Sequence, residues 1–102
     1  MDDKYYTIFQ AMELIKDNKE LIFEIRDEKQ KDGWFKHMLL ICTIGLSGGY
    51  FLKYYLKPSE DCNNQKWEVA DYIPLSEEIK WYISTLTKTD VQNSIDEVGI
   101  RD

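Results

Sequence analysis

Histidine, cysteine and proline are scarce in this chain: one, two and two among 102 residues. A Ser-His-Asp or Cys-His triad would have to use His37, and no ordered partner stands near it in sequence. Cys42 and Cys62 are too few for a disulfide framework, and neither belongs to a CxxC or Cys/His spacing that would hold zinc. Cys62 lies beside Glu60 and Asp61, whose charges disfavour a thiolate. There is no GxGxxG and no P-loop; Gly45–Gly49 lacks the lysine and following helix of a phosphate cradle. Long apolar runs are missing too. Met38–Leu52 is uncharged for 15 residues, but a spanning helix needs about 20, and Gly45, Gly48 and Gly49 interrupt this one. These absences set the expectation of no catalytic residue, no metal ligand, no cofactor and no membrane segment.

Basic residues are scarce in one half only. Residues 1–57 hold nine acids and nine Lys or Arg, whereas residues 58–102 hold ten acids and four bases, so the second half carries the whole net charge of −6. An acidic chain disfavours a phosphate backbone, which argues against direct nucleic-acid binding and for a basic protein partner. The start, Met1-Asp2-Asp3-Lys4, has the wrong charge for a signal peptide, and with the cysteine usage it sets a cytoplasmic expectation.

What is abundant is apolar and aromatic: 43 % hydrophobic residues, with seven Tyr, four Phe and three Trp. That composition folds, and 102 residues suit a single compact domain, 1–102. Thr7-x-x-Gln10 has capping-box spacing, and Ile8, Ala11, Met12 and Ile15 then recur at helical intervals up to Asp17-Asn18. Leu21, Phe23 and Ile25 alternate with Ile22, Glu24 and Arg26 as a half-buried strand. Trp34–Ile44 is nearly all apolar after His37, the pattern of a central strand covered on both faces. Gly45–Gly49 reads as a turn, Tyr50–Lys57 as the cleanest alternating strand, and Pro58 as its stop. Ser59–Gln65 reads as a polar loop, and Trp67 and Val69 alternate with Lys66, Glu68 and Ala70 in a short fourth strand. Ser76 has the chemistry of an N-cap, with Glu77-Glu78 in the first turn and Ile79, Tyr82, Ile83 and Leu86 on one helical face. Thr89-x-x-Gln92 predicts a last helix ending at Gly99. The expected fold is α+β: an N-terminal helix, a four-stranded antiparallel sheet and two C-terminal helices (α-β-β-β-β-α-α), with the helices on one face. Leu21, Phe23, Ile25, Tyr82 and Ile83 are the predicted core.

For a binding site, the acid pairs Glu60-Asp61, Glu77-Glu78 and Asp96-Glu97 read as solvated faces rather than general acid–base pairs, which need a pocket to separate their pKa values. Trp81 lies off the helical stripe and serves as the predicted aromatic anchor among these acids. Phe51, Tyr55, Trp34 and Trp67 are the other aromatics of which some are expected to be partly exposed.

The pattern Ile8-x-x-Ala11-Met12-x-x-Ile15-Lys16-x-x-Lys19, followed by a strand and much later by Trp67-Glu68-Val69, resembles small phage proteins of the Thoeris anti-defence 2 type, a group similar to at least one inhibitor of type II CRISPR effectors. Glu20 and Leu21 stand where that group carries a basic pair and a tryptophan, and residues continue well past Trp67-Glu68-Val69, so its nucleotide-signal site is not carried over. The resemblance implies a small phage-type protein acting by binding. The expected function is a non-enzymatic inhibitor of a bacterial defence system, occluding the basic nucleic-acid groove of an effector or nuclease with the acidic half. Two alternatives stand beside it. One is a sponge for a cyclic nucleotide signal, which needs a basic aromatic pocket from the neutral half (Arg26, Lys36, Lys53, Lys57). The other is an immunity or antitoxin protein that blocks a toxin nuclease. Homodimerisation is left open.

Overall fold

The structure, a computed structural model, describes residues 4–26, 38–58, 65–70 and 75–101. In chain order these form β1 (Tyr5–Tyr6), α1 (Ile8–Asp17), β2 (Ile22–Ile25), β3 (Met38–Ile44), β4 (Tyr50–Leu56), β5 (Trp67–Val69), β6 (Trp81–Ile83), α2 (Lys88–Val98) and β7 (Ile100–Arg101). The strands make one seven-stranded sheet in the order β1-β6-β2-β3-β4-β5-β7. All neighbours are antiparallel except β5 and β7, which are parallel.

This corrects the expected four-stranded antiparallel sheet with two C-terminal helices. The sheet is mixed and seven-stranded, and among the described residues one helix, not two, follows β5. The difference lies in residues 76–86. Ser76 caps only a turn, its Oγ accepting from Glu78 N at 3.2 Å. Residues 81–83 then enter the sheet between β1 and β2. Ile79, Tyr82, Ile83 and Leu86 fit a helical stripe, but Ile79, Trp81 and Ile83 also alternate with period 2. The strand reading buries Trp81 completely. Removing its 150–250 Å² from water is worth about 4 to 6 kcal/mol, which outweighs the ~1 kcal/mol of an N-cap. Trp, Tyr and Ile in sequence also favour strand over helix.

The two helices cover opposite faces rather than one. Ile8, Ala11 and Ile15 of α1 meet Phe23, Ile25, Met38, Leu40, Cys42, Tyr54 and Trp81. Val91 and the half-buried Leu86 and Ile95 meet Ile22, Leu39, Ile41 and Trp67 on the other face. The unbroken apolar run of β3 follows from this: its alternate residues serve two cores in the middle of the sheet. Phe23 and Ile25 are buried as predicted. Leu21 and Tyr82 are only half-buried, and Ile83 is exposed.

Both helices begin with reciprocal capping boxes. Thr7 Oγ1 accepts from Gln10 N at 3.2 Å while Thr7 N donates to Gln10 Oε1 at 2.9 Å. On α2 the cap is Thr87, not the predicted Thr89. Thr87 Oγ1 accepts from Asp90 N, and Thr87 N donates to Asp90 Oδ2. The Thr87 backbone N–H, and then its hydroxyl, hold the Asp90 carboxyl below its ordinary pKa. Gly99 ends α2 at φ 89°, a left-handed value that a side chain would strain. From there Gly99 O accepts Trp67 N at 3.0 Å, which starts the β5–β7 pairing.

Candidate binding surface

The longest ladder is β3–β4, paired from Met38↔Leu56 to Ile44↔Tyr50. Its two ends differ. At the base, Met38, Leu39 and Leu40 have no exposure. At the tip, Ile44 is 64 %, Tyr50 57 % and Phe51 42 % exposed, and Leu46 in the turn is fully exposed. The turn is closed by Gly45 N to Gly49 O at 2.7 Å and Gly48 N to Gly45 O at 2.9 Å. A Cβ at Gly45 would lie 3.0 Å from the Phe51 ring, so a glycine there leaves the ring its place beside the turn.

Among the described residues, the tip outruns its neighbours. β2 pairs with β3 only from Leu39 to Ile41, and β5 pairs with β4 only at Tyr55 and Leu56, extended by Ala70 N to Tyr54 O at 2.8 Å. Residues 50–53 of β4 therefore have no strand on their outer side among the described residues. Four exposed apolar side chains on one projecting end form a patch, not scattered surface hydrophobics.

The charges around the tip are positive. Residues 38–57 contain no acid, and Lys53 and Lys57 are their only charges. Lys53 Nζ stands 5.3 Å from the centre of the Phe51 ring, and Lys19 Nζ, just past α1, stands 4.6 Å from that of Tyr50. No ion pair engages Lys16, Lys19 or Lys53 among the described residues. Between α1 and the tip lies a depression of about 200 Å³, walled by Met12, Ile15, Leu52 and Tyr50, with Lys16 and Lys19 at its rim. A second depression, about 280 Å³, opens on the opposite face between Thr43, Ile44, Tyr55, Lys88 and Gln92.

Of the seven predicted site residues, the structure describes five: Glu77, Glu78, Trp81, Asp96 and Glu97. Trp81 is buried against Tyr54, ring centres 6.0 Å apart, and cannot anchor a partner. Glu77 and Glu78 are exposed in the turn before β6. Asp96 and Glu97 are exposed on the last turn of α2, with Asp96 Oδ1 accepting from Gln92 Nε2 at 3.0 Å. Four ladder steps separate β6 from β5, the strand that α2 and β7 flank, which is about 19 Å at the usual strand spacing. The two acid pairs thus belong to different sides of the sheet. Glu60 and Asp61 lie outside the described residues, as do His37, Trp34, Lys36 and Cys62. Of the other predicted aromatics, Phe51 is exposed, Tyr55 half-buried and Trp67 buried. Trp67 Nε1 donates to Ser94 Oγ at 2.8 Å and so ties α2 to β5.

Sequence reasoning missed the tip although its signal was present: an acid-free stretch whose apolar run continues through the turn at Leu46. At the β1–β6–β2 edge, Lys80, Tyr5, Tyr82 and Arg26 stack in turn, and Arg26 Nε lies 3.6 Å from Glu24 Oε2. At the tip, Lys19 and Lys53 also lie over rings, but of these cations only Arg26 at this edge has a carboxylate beside it.

Cys42 is buried. Burial pushes the Tyr54 hydroxyl up to about 12 and the Tyr55 hydroxyl upward too, so both stay protonated near neutrality. No group of three or more His, Cys, Asp or Glu that could hold a metal occurs among the described residues. No helix there is long and apolar enough to cross a membrane. No family model, curated protein or solved structure matches the chain.

Proposed function

We propose that this protein acts by binding, as a non-enzymatic inhibitor of the phage anti-defence kind, and that it meets its target with the tip of the β3–β4 hairpin. The observation that carries the reading is the projecting set Ile44, Leu46, Tyr50 and Phe51, exposed by 42 % or more and rimmed by Lys19 and Lys53. Large apolar and aromatic side chains at the centre of a polar rim are the usual composition of binding hot spots.

Occlusion of a basic groove by the acidic half is the second reading, supported by the net charge of −6. It would need a groove wide enough to reach both Glu77-Glu78 and Asp96-Glu97. The nucleotide sponge gains support from Lys16, Lys19 and Tyr50 beside one depression, but about 200 Å³ falls below the ~300 Å³ at which ligand pockets begin. A larger depression of about 410 Å³ lies beside Tyr6, Phe9 and Glu13, but no lysine or arginine lines it, so a macromolecular partner is favoured.

The test is inhibition of bacterial defence systems by the expressed protein, across a panel that includes CRISPR effectors. Leu46→Asp with Phe51→Ser should abolish inhibition while the melting temperature holds. Lys reversals at Glu77, Glu78, Asp96 and Glu97 should leave most of it. The opposite pattern would move the contact to the acidic half.

A further inference from the structure

One flank of α1 is complementary to itself. Phe9, Met12, Glu13 and Lys16 recur at intervals of three and four, so they share a flank beside the stripe of Ile8, Ala11 and Ile15 that faces the sheet. Phe9 is 47 % exposed, and Glu13 and Lys16 are exposed as well. Glu13 and Lys16 stand one turn apart, yet no ion pair joins them. Lys19 Nζ donates to Lys16 O at 3.4 Å and lies over the Tyr50 ring. The start of the flank thus offers an apolar ring and an acid. Its end offers two amines on the rim of the apolar depression between Met12, Ile15 and Tyr50. At about 200 Å³, that depression suits a single ring, since an apolar cavity of about 150 Å³ holds a benzene.

We infer that a second copy of this chain occupies the flank, with the two α1 helices antiparallel about a twofold axis. Such an interface is isologous: what one copy offers the other receives, twice. With Glu13 opposite Lys16 of the second copy, the rise of about 1.5 Å per residue brings Phe9 level with the end of that copy's α1. There Lys19 and Tyr50 edge the depression that takes the ring. The same contacts form in reverse, so two ion pairs and two inserted rings hold the dimer. Charge permits the meeting. Residues 1–57 hold nine acids and nine Lys or Arg, and the surplus acids all lie in residues 58–102, so the halves that meet carry no net charge to repel. The dimer leaves Phe51 and Lys53 to a target, because they stand opposite Thr43 and Ile41 on the α2 side of the sheet.

The test is the oligomeric state of the full chain by sedimentation equilibrium, from roughly 10 μM to 1 mM, a range suited to the small area of one helix flank. Over it the mass should rise from that of one chain to that of two. Glu13→Lys and Lys16→Glu, each checked by its melt, should each weaken the dimer by about tenfold or more, because each sets like charges face to face twice. Mixed in equal amounts, the two variants should form a heterodimer, since every facing pair then joins opposite charges. Glu13→Lys combined with Lys16→Glu in one chain should dimerise like the parent. Phe9→Ser should weaken association and leave the melt unchanged. A monomer throughout that range would overturn the inference, as would a dimer that neither reversal weakens. Single variants that stay apart when mixed would overturn it too.

Discussion

The base and the tip of the β3–β4 hairpin are built from the same kinds of residue and meet opposite fates. Leu40 at the base is fully buried, because α1 and β2 cover it. Ile44, four residues on in the same strand, is 64 % exposed, because the pairing of β2 with β3 stops at Ile41. Hydropathy alone therefore does not place a residue inside; the reach of neighbouring elements does. An apolar residue left outside by the fold is either a liability or a contact. The acid-free, lysine-flanked setting of this tip favours contact.

Four sets of variants test that contrast, beginning with the largest effect. At the base, Leu40→Ala should cost about 2 to 5 kcal/mol in urea melts, and Phe23→Ala, directly across the β2–β3 ladder, about 3 to 5 kcal/mol. A loss below about 1 kcal/mol at either would mean that the base is not closed.

Tyr54 is next. Its hydroxyl is buried with no hydrogen-bond partner among the described residues, and its pKa stands at about 12 against an ordinary 10.0. The folded state thus keeps a proton that the unfolded chain releases. The associated stability is fully present below pH 10 and is lost as pH rises through about 12, by roughly 2 to 3 kcal/mol for a shift of that size. Tyr54→Phe should remove this alkaline loss and melt no lower near neutral pH, since it deletes an unpaired polar group. A drop of more than about 1 kcal/mol near neutrality would reveal a partner for the hydroxyl.

On the other face, Ser94→Ala leaves the buried Trp67 indole N–H without its acceptor. It should cost about 1 to 3 kcal/mol. An unchanged melt would show that α2 does not depend on that bond.

At the tip, Leu46→Ser should stay within about 0.5 kcal/mol of the parent, yet weaken partner binding. A large loss of stability there would erase the distinction between base and tip.

Much of the local structure was legible. The Thr7/Gln10 box, the period of α1, and the alternation of Tyr50–Leu56 each depend on neighbours close in sequence, and each was read correctly. Trp81 was not, because its burial is decided by Ile25 and Tyr54, far away in sequence. The two-residue strands β1 and β7 carry no periodicity at all and exist only through β6 and β5. The second cap was shifted by two residues: Thr87 and Thr89 both have a capping partner three residues on, and only the approach of the chain from β6 selects between them. The acidic half was correctly seen as acidic, but composition does not say which charges share a face. The tip needed the lengths of β2 and β5, which emerge only once the pairing is known.

One feature of the sheet reaches beyond the finished molecule. β6, residues 81–83, is inserted between β1 and β2, which precede it by more than half the chain. During synthesis, β2 therefore waits with one open edge, displaying Phe23 and Ile25, from residue 25 until residue 83 has been made. At 5–20 residues per second that is an interval of roughly 3 to 12 s. Chaperones and aggregation compete for the nascent chain in that window. A rare-codon pause before Trp81 would lengthen their opportunity without changing a single contact of the native state.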